Sequence, residues 1–478
     1  MNQRFFVFAA FLALSSSLHA QEPAKPRPQR PAKQSAPPLP AIGDEGGGAP
    51  ECGLGKEFHA GRRSELAKLL KTGVVIVRGL PDTRDYVQFR QDKVFWYLTG
   101  IESPNATLVM DLDTHKEMLF LPKKREGNES WEGEKWDSED EWIASLSGFT
   151  DIRGKDDLLG VLKTLMPEGR TVWISEEPFI GLSGCYDRAE GYDARISHDP
   201  LDGRASREDK LAENLKAKFK VEVKDMQHSL AELRRVKTPE EIVALERAGK
   251  IGAMAMVEAM RSSAPGRGEW ELAAVMDFVH KREGAAGPGY DAIAGSGRNS
   301  CVMHYNTNRR RMQAGEVILI DYAPEFSHEV VDITRTWPVN GKFTERQAQI
   351  YDAVLAAQQA GIEAAKPGAT MADVEAACGK SIKASGMESM RRHGACHWVG
   401  LEVHDVGNPA LPLVPGCAFT IEPGLYDEAS GIGVRIEDVV VITAEGCKVI
   451  TAGVPRERAA IEALISDKGM LDDLPAKN

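Results

Sequence analysis

The chain has 478 residues, which is more than one hydrophobic core usually holds, so two folded domains are expected. Its 42% hydrophobic and 27% charged residues are typical of a globular protein. The formal net charge of −12 disfavours general nucleic-acid binding, because proteins of that class present a basic surface.

The N-terminus predicts export. Arg4 precedes an apolar run at 5–14 that is too short to span a bilayer, and small residues follow. We interpret residues 1–20 as a signal peptide cleaved after Ala20, on an exported bacterial protein that is periplasmic or secreted and has no stable membrane insertion afterwards. The alternatives left open are an uncleaved anchor and a buried strand.

Residues 21–55 are rich in Pro, Gly and Lys and include three consecutive glycines at 46–48. This composition buries too little apolar surface to order itself, so we expect a disordered tether. The first folded domain is then predicted at 56–235. Strands alternating with helices predict an α/β layer there. The predicted elements are a helix at 62–71 and strands at 74–77, 107–110, 118–121 and 172–175.

The second domain is predicted at 236–465, followed by a tail at 466–478. Thr238 is followed by Pro and by Glu at the third position, which predicts a helix start. A second start is predicted at Thr344, with Gln347 closing the capping box. Strands predicted at 317–321, 330–334, 418–421 and 433–443 indicate a mixed α+β domain with an antiparallel sheet.

Two aspartates fall in one predicted hairpin. Asp321 ends an apolar strand, and Asp332 lies in the next predicted strand after a turn that contains proline. A lone aspartate at a strand end is usually a cap or turn residue. Two of them within apolar runs need a partner, because buried carboxylates are costly without one.

Further polar residues lie in the last third of the chain. Glu422 ends a strand at a Pro-Gly turn, and Arg435 and Glu437 are two apart on one predicted strand, which places them on one face. His393, His397 and His404 share one segment, and His304 precedes Asp321. Singly, each of these histidines is more often a packed polar residue than a ligand.

The five residues Asp321, Asp332, His397, Glu422 and Glu437 have the types that suit two hard divalent cations. Such a pair can polarise a bond and activate water, so hydrolysis is the predicted reaction class.

The seven cysteines are an odd number for an exported chain and contain no CxxC pair, so no specific disulfide is predicted. Cys396 adjoins His397 and could be taken for a nucleophile, but a small packed residue is the favoured interpretation.

Six C-terminal segments resemble the pita-bread metallopeptidases, in the Xaa-Pro aminopeptidase (aminopeptidase P) and prolidase branch. They are VMHY at 302–305, LIDYA at 319–323, DITRTWPVNG at 332–341, HWVGLEVHDVG at 397–407, IEPGLY at 421–426 and GIGVRIED at 431–438. The first-domain segment FRQDKVFWYLTG at 89–100 is more similar to aminopeptidase P than to prolidase. The resemblance covers about residues 56–465.

The resemblance implies an α/β N-terminal domain and an α+β C-terminal pita-bread (creatinase/aminopeptidase) domain with a curved antiparallel sheet. It also implies two divalent metal ions, Mn²⁺ foremost, with Zn²⁺, Co²⁺ or Fe²⁺ as alternatives. The implied ligands are Asp321, Asp332, His397, Glu422 and Glu437.

By the same resemblance, a hydroxide bridging the metals would attack the carbonyl before proline. Glu422 would shuttle the proton, and His304 and His404 would donate to the oxygen of the carbonyl and of the intermediate. The residues implied to bind substrate are His393, Tyr426 and Arg435, on the proline side, and Trp96, which would close the site from a neighbouring subunit.

We therefore predict a homo-oligomeric Xaa-Pro aminopeptidase acting on peptides with proline in second position. The alternatives are a prolidase limited to dipeptides, another hydrolase of the same fold such as a creatinase-like enzyme, and a non-catalytic peptide-binding protein, which would have lost metal ligands.

Overall fold

The computed structural model describes residues 52–83, 86–124, 126–133, 135–178 and 186–474. The predicted signal peptide, nearly all of the predicted tether and the end of the tail lie outside these residues. Within the described ranges, no helix combines the length and the apolar character needed to cross a membrane.

The first domain alternates helices and strands, as predicted, and contains more of both than the sequence indicated. Its helices are α1 (Lys56–Leu70), α2 (Lys93–Thr99), α3 (Glu126–Glu132), α4 (Trp142–Ser147), α5 (Leu158–Leu165), α6 (Tyr186–His198), α7 (Arg207–Phe219) and α8 (Gln227–Arg235). Its strands are β1 (Val74–Arg78), β2 (Thr107–Asp111), β3 (Lys116–Leu121), β4 (Ile152–Gly154), β5 (Thr171–Ile174) and β6 (Glu222–Asp225).

These strands form one mixed sheet in the order β4-β3-β2-β1-β5-β6. The central strands β1, β2 and β3 pair antiparallel, whereas β4, β5 and β6 join in parallel. Apolar side chains cover both faces of the sheet, one packed with α1 and α2 and the other with α5 and α7. The α/β prediction for this domain is confirmed.

The second domain carries long helices on small antiparallel sheets. Its helices are α9 (Pro239–Arg261), α10 (Glu269–Arg282), α11 (Glu345–Ala364), α12 (Met371–Ala384) and α13 (Arg458–Ile465). Its strands are β7 (Gly287–Pro288), β8 (Ile293–Ser296), β9 (Val317–Asp321), β10 (Pro324–Phe326), β11 (Glu329–Val330), β12 (Thr334–Pro338), β13 (Ala418–Ile421), β14 (Gly424–Asp427), β15 (Ile432–Arg435), β16 (Asp438–Ile442) and β17 (Cys447–Val449).

Both predicted helix starts are confirmed. The Thr238 side chain accepts from the backbone N–H of Glu241, and the Glu241 carboxylate accepts from the Thr238 N–H. Thr344 and Gln347 make the same reciprocal pair at the start of α11. These bonds satisfy N–H groups that the first turn of a helix otherwise leaves free.

Two predicted strands are interrupted, and the predictions of continuous strands at 330–334 and 433–443 are wrong. The chain leaves β11, which pairs with β10, and enters β12, which pairs with β9. It likewise leaves β15, paired with β14, and enters β16, paired with β13 and β17. A chain that changes strand partners must leave one hydrogen-bonded ladder before it joins the next. Residues 331–333 and 436–437 therefore belong to neither ladder.

The two domains meet through buried charges. Arg234, near the end of α8, contacts Asp405 and donates to Glu402 Oε1 at 2.9 Å, while Lys237 Nζ lies 2.9 Å from Asp405 Oδ2. These contacts fix the segment that carries His404. A salt bridge between Lys93 on α2 and Glu325 on β10 also joins the two domains.

A buried ion pair beside the second partner switch predicts a large stability effect. Arg335 on β12 and Asp438 on β16 are 0% exposed and lie 2.8 Å apart, and Arg335 also donates to the Thr334 and Val454 carbonyls. Arg335→Met removes the paired cation of the buried Asp438 carboxylate, which among the described residues keeps only hydrogen bonds from neutral groups such as Thr451 at close range. We therefore expect a loss of about 3–5 kcal/mol in the free energy of unfolding, measured by urea titration.

The matched control is Arg458→Met, which breaks a bidentate pair with Asp352 at the surface. We expect less than about 1 kcal/mol there. Equal losses in both variants would contradict the assignment of Arg335 as a buried anchor.

Candidate metal centre

All four predicted carboxylate ligands lie where the chain passes from one ladder to another. Asp321 is the last residue of β9, and Asp332 lies between β11 and β12. Glu422 lies between β13 and β14, and Glu437 lies between β15 and β16. Asp321 is still paired within β9, whereas Asp332, Glu422 and Glu437 lie outside the strands, where the chain changes strand partners.

His397 lies among these carboxylates. Its Nε2 is 3.5 Å from Glu422 Oε1, 3.6 Å from Asp332 Oδ2 and 3.9 Å from Glu437 Oε1. Its Nδ1 lies 2.9 Å from the Trp398 carbonyl oxygen, which can only accept a hydrogen bond. The ring proton is therefore on Nδ1, and the lone pair of Nε2 faces three acceptor oxygens.

Burial and mutual repulsion oppose the charge on these carboxylates. Burial, together with the charges of their carboxylate neighbours, raises the pKa values of Asp332 and Glu437 well above their usual range. The same two causes, opposed by the charge of Arg435, raise the pKa of Glu422 to about 8. Burial lowers the pKa of His397 to about 3, so this ring is neutral and supplies no balancing charge.

This arrangement fits bound cations. The buried Oε1 of Glu437 has no hydrogen-bond partner among the described residues. Asp332, His397 and Glu437 each offer a ligand atom, and these atoms lie within 4.8 Å of one another. A lone pair directed at several ionised carboxylate oxygens is unfavourable without a proton or a cation between them, and imidazole with carboxylates suits divalent metals.

Asp321 is held by an ion pair and by a hydrogen bond. Arg435 Nη2 lies 2.6 Å from its Oδ2, and the Tyr290 hydroxyl lies 2.7 Å from its Oδ1. The same hydroxyl contacts Asp332 Oδ1, so Tyr290 joins two of the candidate ligands. Burial beside the carboxylates raises the pKa of Tyr290 well above its usual range, which keeps it a donor.

The predicted substrate residues form a connected wall next to Asp321. Arg435 Nη1 donates to the Tyr426 hydroxyl at 3.0 Å, and that hydroxyl lies 2.8 Å from His393 Nε2. His393 Nδ1 lies 2.6 Å from the Gly394 carbonyl oxygen, so Nδ1 carries the proton and Nε2 accepts from Tyr426. The wall is therefore ordered by a directed chain of hydrogen bonds.

Of the two remaining predicted histidines, only His404 directly contacts a candidate ligand among the described residues. His404 packs its ring against His397, with centroids 4.1 Å apart. His304 is exposed, and its Nδ1 lies 2.8 Å from Nη2 of Arg188. Burial and the charges of Arg188 and Arg435 lower the pKa of His304, whereas the charge of Asp321 raises it.

Trp96 does not join the site. Its side chain is 2% exposed, lies in the apolar core of the first domain and stacks on His328 with centroids 4.1 Å apart. A ring fixed in this way cannot reach into a neighbouring subunit, so the prediction that Trp96 closes the site is corrected.

Three contributors were missed in the sequence. They are Tyr290, Arg188 and Thr334. Thr334 donates to Glu437 Oε2 at 2.6 Å and accepts from Arg435 Nε at 3.0 Å. Thr334 was within reach of sequence reasoning, because it stands in the segment that contains Asp332. Tyr290 and Arg188 reach the site through tertiary contacts with no local signal.

Cys396 follows its predicted packing role. Burial raises the pKa of its thiol well above the usual range, which disfavours a nucleophilic thiolate. The six cysteines in the described part of the chain are all unpaired.

Comparison with known proteins gives this centre its context. Residues 243–444 match the model for metallopeptidase family M24, and residues 59–173 match the model for the N-terminal domain of aminopeptidase P. The chain is 30% identical over 448 residues to the Xaa-Pro aminopeptidase of Escherichia coli (strain K12), covering 86% of this chain and 97% of that protein. The chain belongs to metallopeptidase family M24.

Two further comparisons place this M24 metallopeptidase in the aminopeptidase P branch. Xaa-Pro aminopeptidase 3 of Rattus norvegicus is 32% identical over 411 residues, covering 79% of this chain and 77% of that protein. The structure of Escherichia coli aminopeptidase P with the inhibitor Pro-Leu aligns at a TM-score of 0.72 and 30% identity, covering 86% of this chain and 98% of that one. The predicted family and fold are confirmed.

Because several carboxylates lie close together at this M24 centre, removing the charge of one should raise the stability of the metal-free enzyme and lower its metal affinity. Glu437→Gln removes one buried charge but keeps the shape of the side chain. In metal-free enzyme we expect a gain of roughly 1–2 kcal/mol in the free energy of unfolding, because repulsion is relieved. Metal affinity, measured by calorimetry, should fall by at least about 100-fold.

The matched control is Glu428→Gln, at an exposed glutamate between β14 and β15. It should leave both the stability and the metal affinity unchanged. Wild-type metal affinity in Glu437→Gln would show that this carboxylate is not a ligand.

Proposed function

We propose that this centre hydrolyses the peptide bond between an N-terminal residue and a following proline. The observation that carries the proposal is His397 Nε2, which faces three carboxylate oxygens at 3.5–3.9 Å in a chain whose relatives are Xaa-Pro aminopeptidases. The enzyme is accordingly an Xaa-Pro aminopeptidase, with the bond before proline as its target.

The residues that would hold two divalent ions are those predicted in the sequence: Asp321, Asp332, His397, Glu422 and Glu437. When bound, such ions polarise a carbonyl and lower the pKa of water. We propose Mn²⁺ as the native metal, because four of the five ligands are carboxylates and this ion accepts oxygen-rich sites.

Glu422 is placed to move a proton. Its carboxyl lies at the end of β13 beside His397, and its pKa near neutrality in the metal-free site reflects burial and carboxylate neighbours. A group of this kind can take a proton from attacking water and return it to the leaving amine of proline. Bound cations would lower this pKa and favour the base form at the start of the reaction.

His304 and His404 are proposed to donate to the substrate oxygen. His404 lies against the ring of His397, and the charges of Asp321 and Arg435 act on His304. Donors aimed at an oxygen that gains charge during attack stabilise the transition state more than the ground state.

The wall formed by Arg435, Tyr426 and His393 is proposed to contact the proline ring and its carbonyl group. Its hydrogen bonds are satisfied within the wall, so it offers a fixed surface to a rigid residue. Proline restricts the backbone and removes an N–H, and a preformed surface suits such a substrate because little has to move.

The alternatives receive less support. A prolidase is disfavoured, because the first domain matches the aminopeptidase P N-terminal model. A non-catalytic protein would have lost ligands, but all five are present, and three of the carboxylates lie 3.5–3.9 Å from Nε2 of His397. As the family resemblance implied, we also propose a homo-oligomer, which sedimentation would measure.

The activity is tested on an Arg-Pro-Pro peptide and a Gly-Pro dipeptide, followed by mass spectrometry with Mn²⁺-loaded and Zn²⁺-loaded enzyme. We expect release of one N-terminal residue from the longer peptide, faster with Mn²⁺. Asp332→Asn should lower kcat/KM by about 1,000-fold or more, because a metal ligand is lost. Asp467→Asn, at an exposed aspartate, should match wild type.

Cleavage of the dipeptide alone would favour a prolidase instead. No cleavage of either substrate by metal-loaded enzyme would contradict both peptidase assignments.

We propose, from the sequence alone, that the enzyme is exported and cleaved after Ala20. Expression in a bacterial host should place the protein in the periplasm or medium with Gln21 as its first residue, as read by N-terminal mass spectrometry. A variant without residues 1–20 should stay in the cytoplasm. Full-length protein starting at Met1 in the cytoplasmic fraction would contradict export.

A further inference from the structure

One side chain of the first domain contacts a predicted catalytic histidine of the second. Arg188 lies in the first turn of α6, and its Nη2 is 2.8 Å from Nδ1 of His304. The two residues are 116 positions apart in the chain, so the contact depends on how the domains are packed. Arg188 and His304 are both exposed, so the contact lies at the protein surface.

The chemistry of the contact determines which ring nitrogen of His304 carries the proton. A guanidinium has five N–H donors and no acceptor, so Nδ1 of His304 must accept. A neutral imidazole then carries its proton on Nε2. The charges of Arg188 and Arg435 lower the pKa of His304, in addition to burial, which keeps the ring in this neutral form.

This tautomer is the one that catalysis needs. The nitrogen bound to Arg188 is unavailable to substrate, and the opposite nitrogen, Nε2, is a donor. Among the charges that act on the ring of His304 are those of Asp321, Arg435 and His404. A donor at that place can meet the oxygen of a bound carbonyl.

We propose that Arg188 is a positioning residue that holds His304 with its Nε2–H ready to donate to the substrate carbonyl. The proposal rests on the proposed peptidase function. It gives the first domain a role in the reaction, because rotation of α6 away from the second domain would release His304.

The kinetic test compares Arg188→Met with wild type on the Arg-Pro-Pro peptide. Because the contact is one hydrogen bond in a partly exposed place, we expect kcat to fall by roughly 3- to 10-fold. KM should change by less than about 2-fold, since the bond acts on a donor rather than on substrate binding. Arg188→Lys, which keeps a donor and a charge, should recover part of the loss.

Two controls separate positioning from structure. Arg195→Met removes an exposed arginine about two turns further along α6 and should leave kcat unchanged. In a His304→Ala background, Arg188→Met should cause no further loss, because the two residues act through one interaction. A full additional loss in the double variant would overturn the proposal.

A spectroscopic test does not depend on activity. Zinc-loaded enzyme labelled with ¹⁵N-histidine reports the tautomer of each ring, and His304→Gln identifies the His304 signals. We expect a protonated Nε2 and an accepting Nδ1 in wild type, with a shift toward mixed tautomers in Arg188→Met. Identical His304 signals in the two proteins would overturn the proposal. If wild type cleaved no Xaa-Pro peptide, the proposed function would fail, while these spectra would still decide the tautomer assignment.

Discussion

The structure depends on an electrostatic constraint, which is that several carboxylates lie against an imidazole lone pair in a buried place. Asp332, Glu422 and Glu437 each place an oxygen 3.5–3.9 Å from His397 Nε2. Without cations this arrangement is unfavourable, because like charges repel and burial removes the water that would screen them. The rest of the second domain must therefore hold these groups together rigidly, and the energy it stores there is released when metal binds.

The backbone meets this constraint by changing strand partners. Four switches, at β9 to β10, β11 to β12, β13 to β14 and β15 to β16, bring four carboxylates to one region. The sequence predicted the candidate ligands that the structure brings near one another, because each carboxylate ends or interrupts an apolar run and the motifs resemble a known family. It did not predict the strand breaks at Asp332 and Glu437, because partner exchange depends on distant strands rather than on local periodicity. For the same reason Tyr290 and Arg188 were missed and Trp96 was misassigned: their positions are set by tertiary packing.

The first domain makes charged contacts that hold parts of the second domain in place. Arg234 of the first domain, together with Lys237 of the second, anchors Asp405, which follows His404 directly, and Lys93 on α2 pairs with Glu325 on β10 at 2.9 Å. Although burial raises it, the charges of Lys93, His328 and Arg90 lower the pKa of Glu325 to about 2, so this pair stays ionised. Buried pairs are strongly destabilising when one partner is lost, which makes the domain junction specific in orientation. The contact between α6 and His304 then extends this junction to the reacting groups.

The central claim is that this carboxylate cluster binds metal, and anomalous scattering from a crystal of the Mn²⁺-loaded enzyme tests it most directly. The account predicts two anomalous peaks within the ring of carboxylates. One lies between His397, Glu422 and the pair Asp332 and Glu437, and the other lies between that pair and Asp321, with the Asp321–Arg435 contact lengthened. Absence of both peaks at saturating Mn²⁺, with His397 Nε2 bonded to a protonated carboxyl instead, would contradict it.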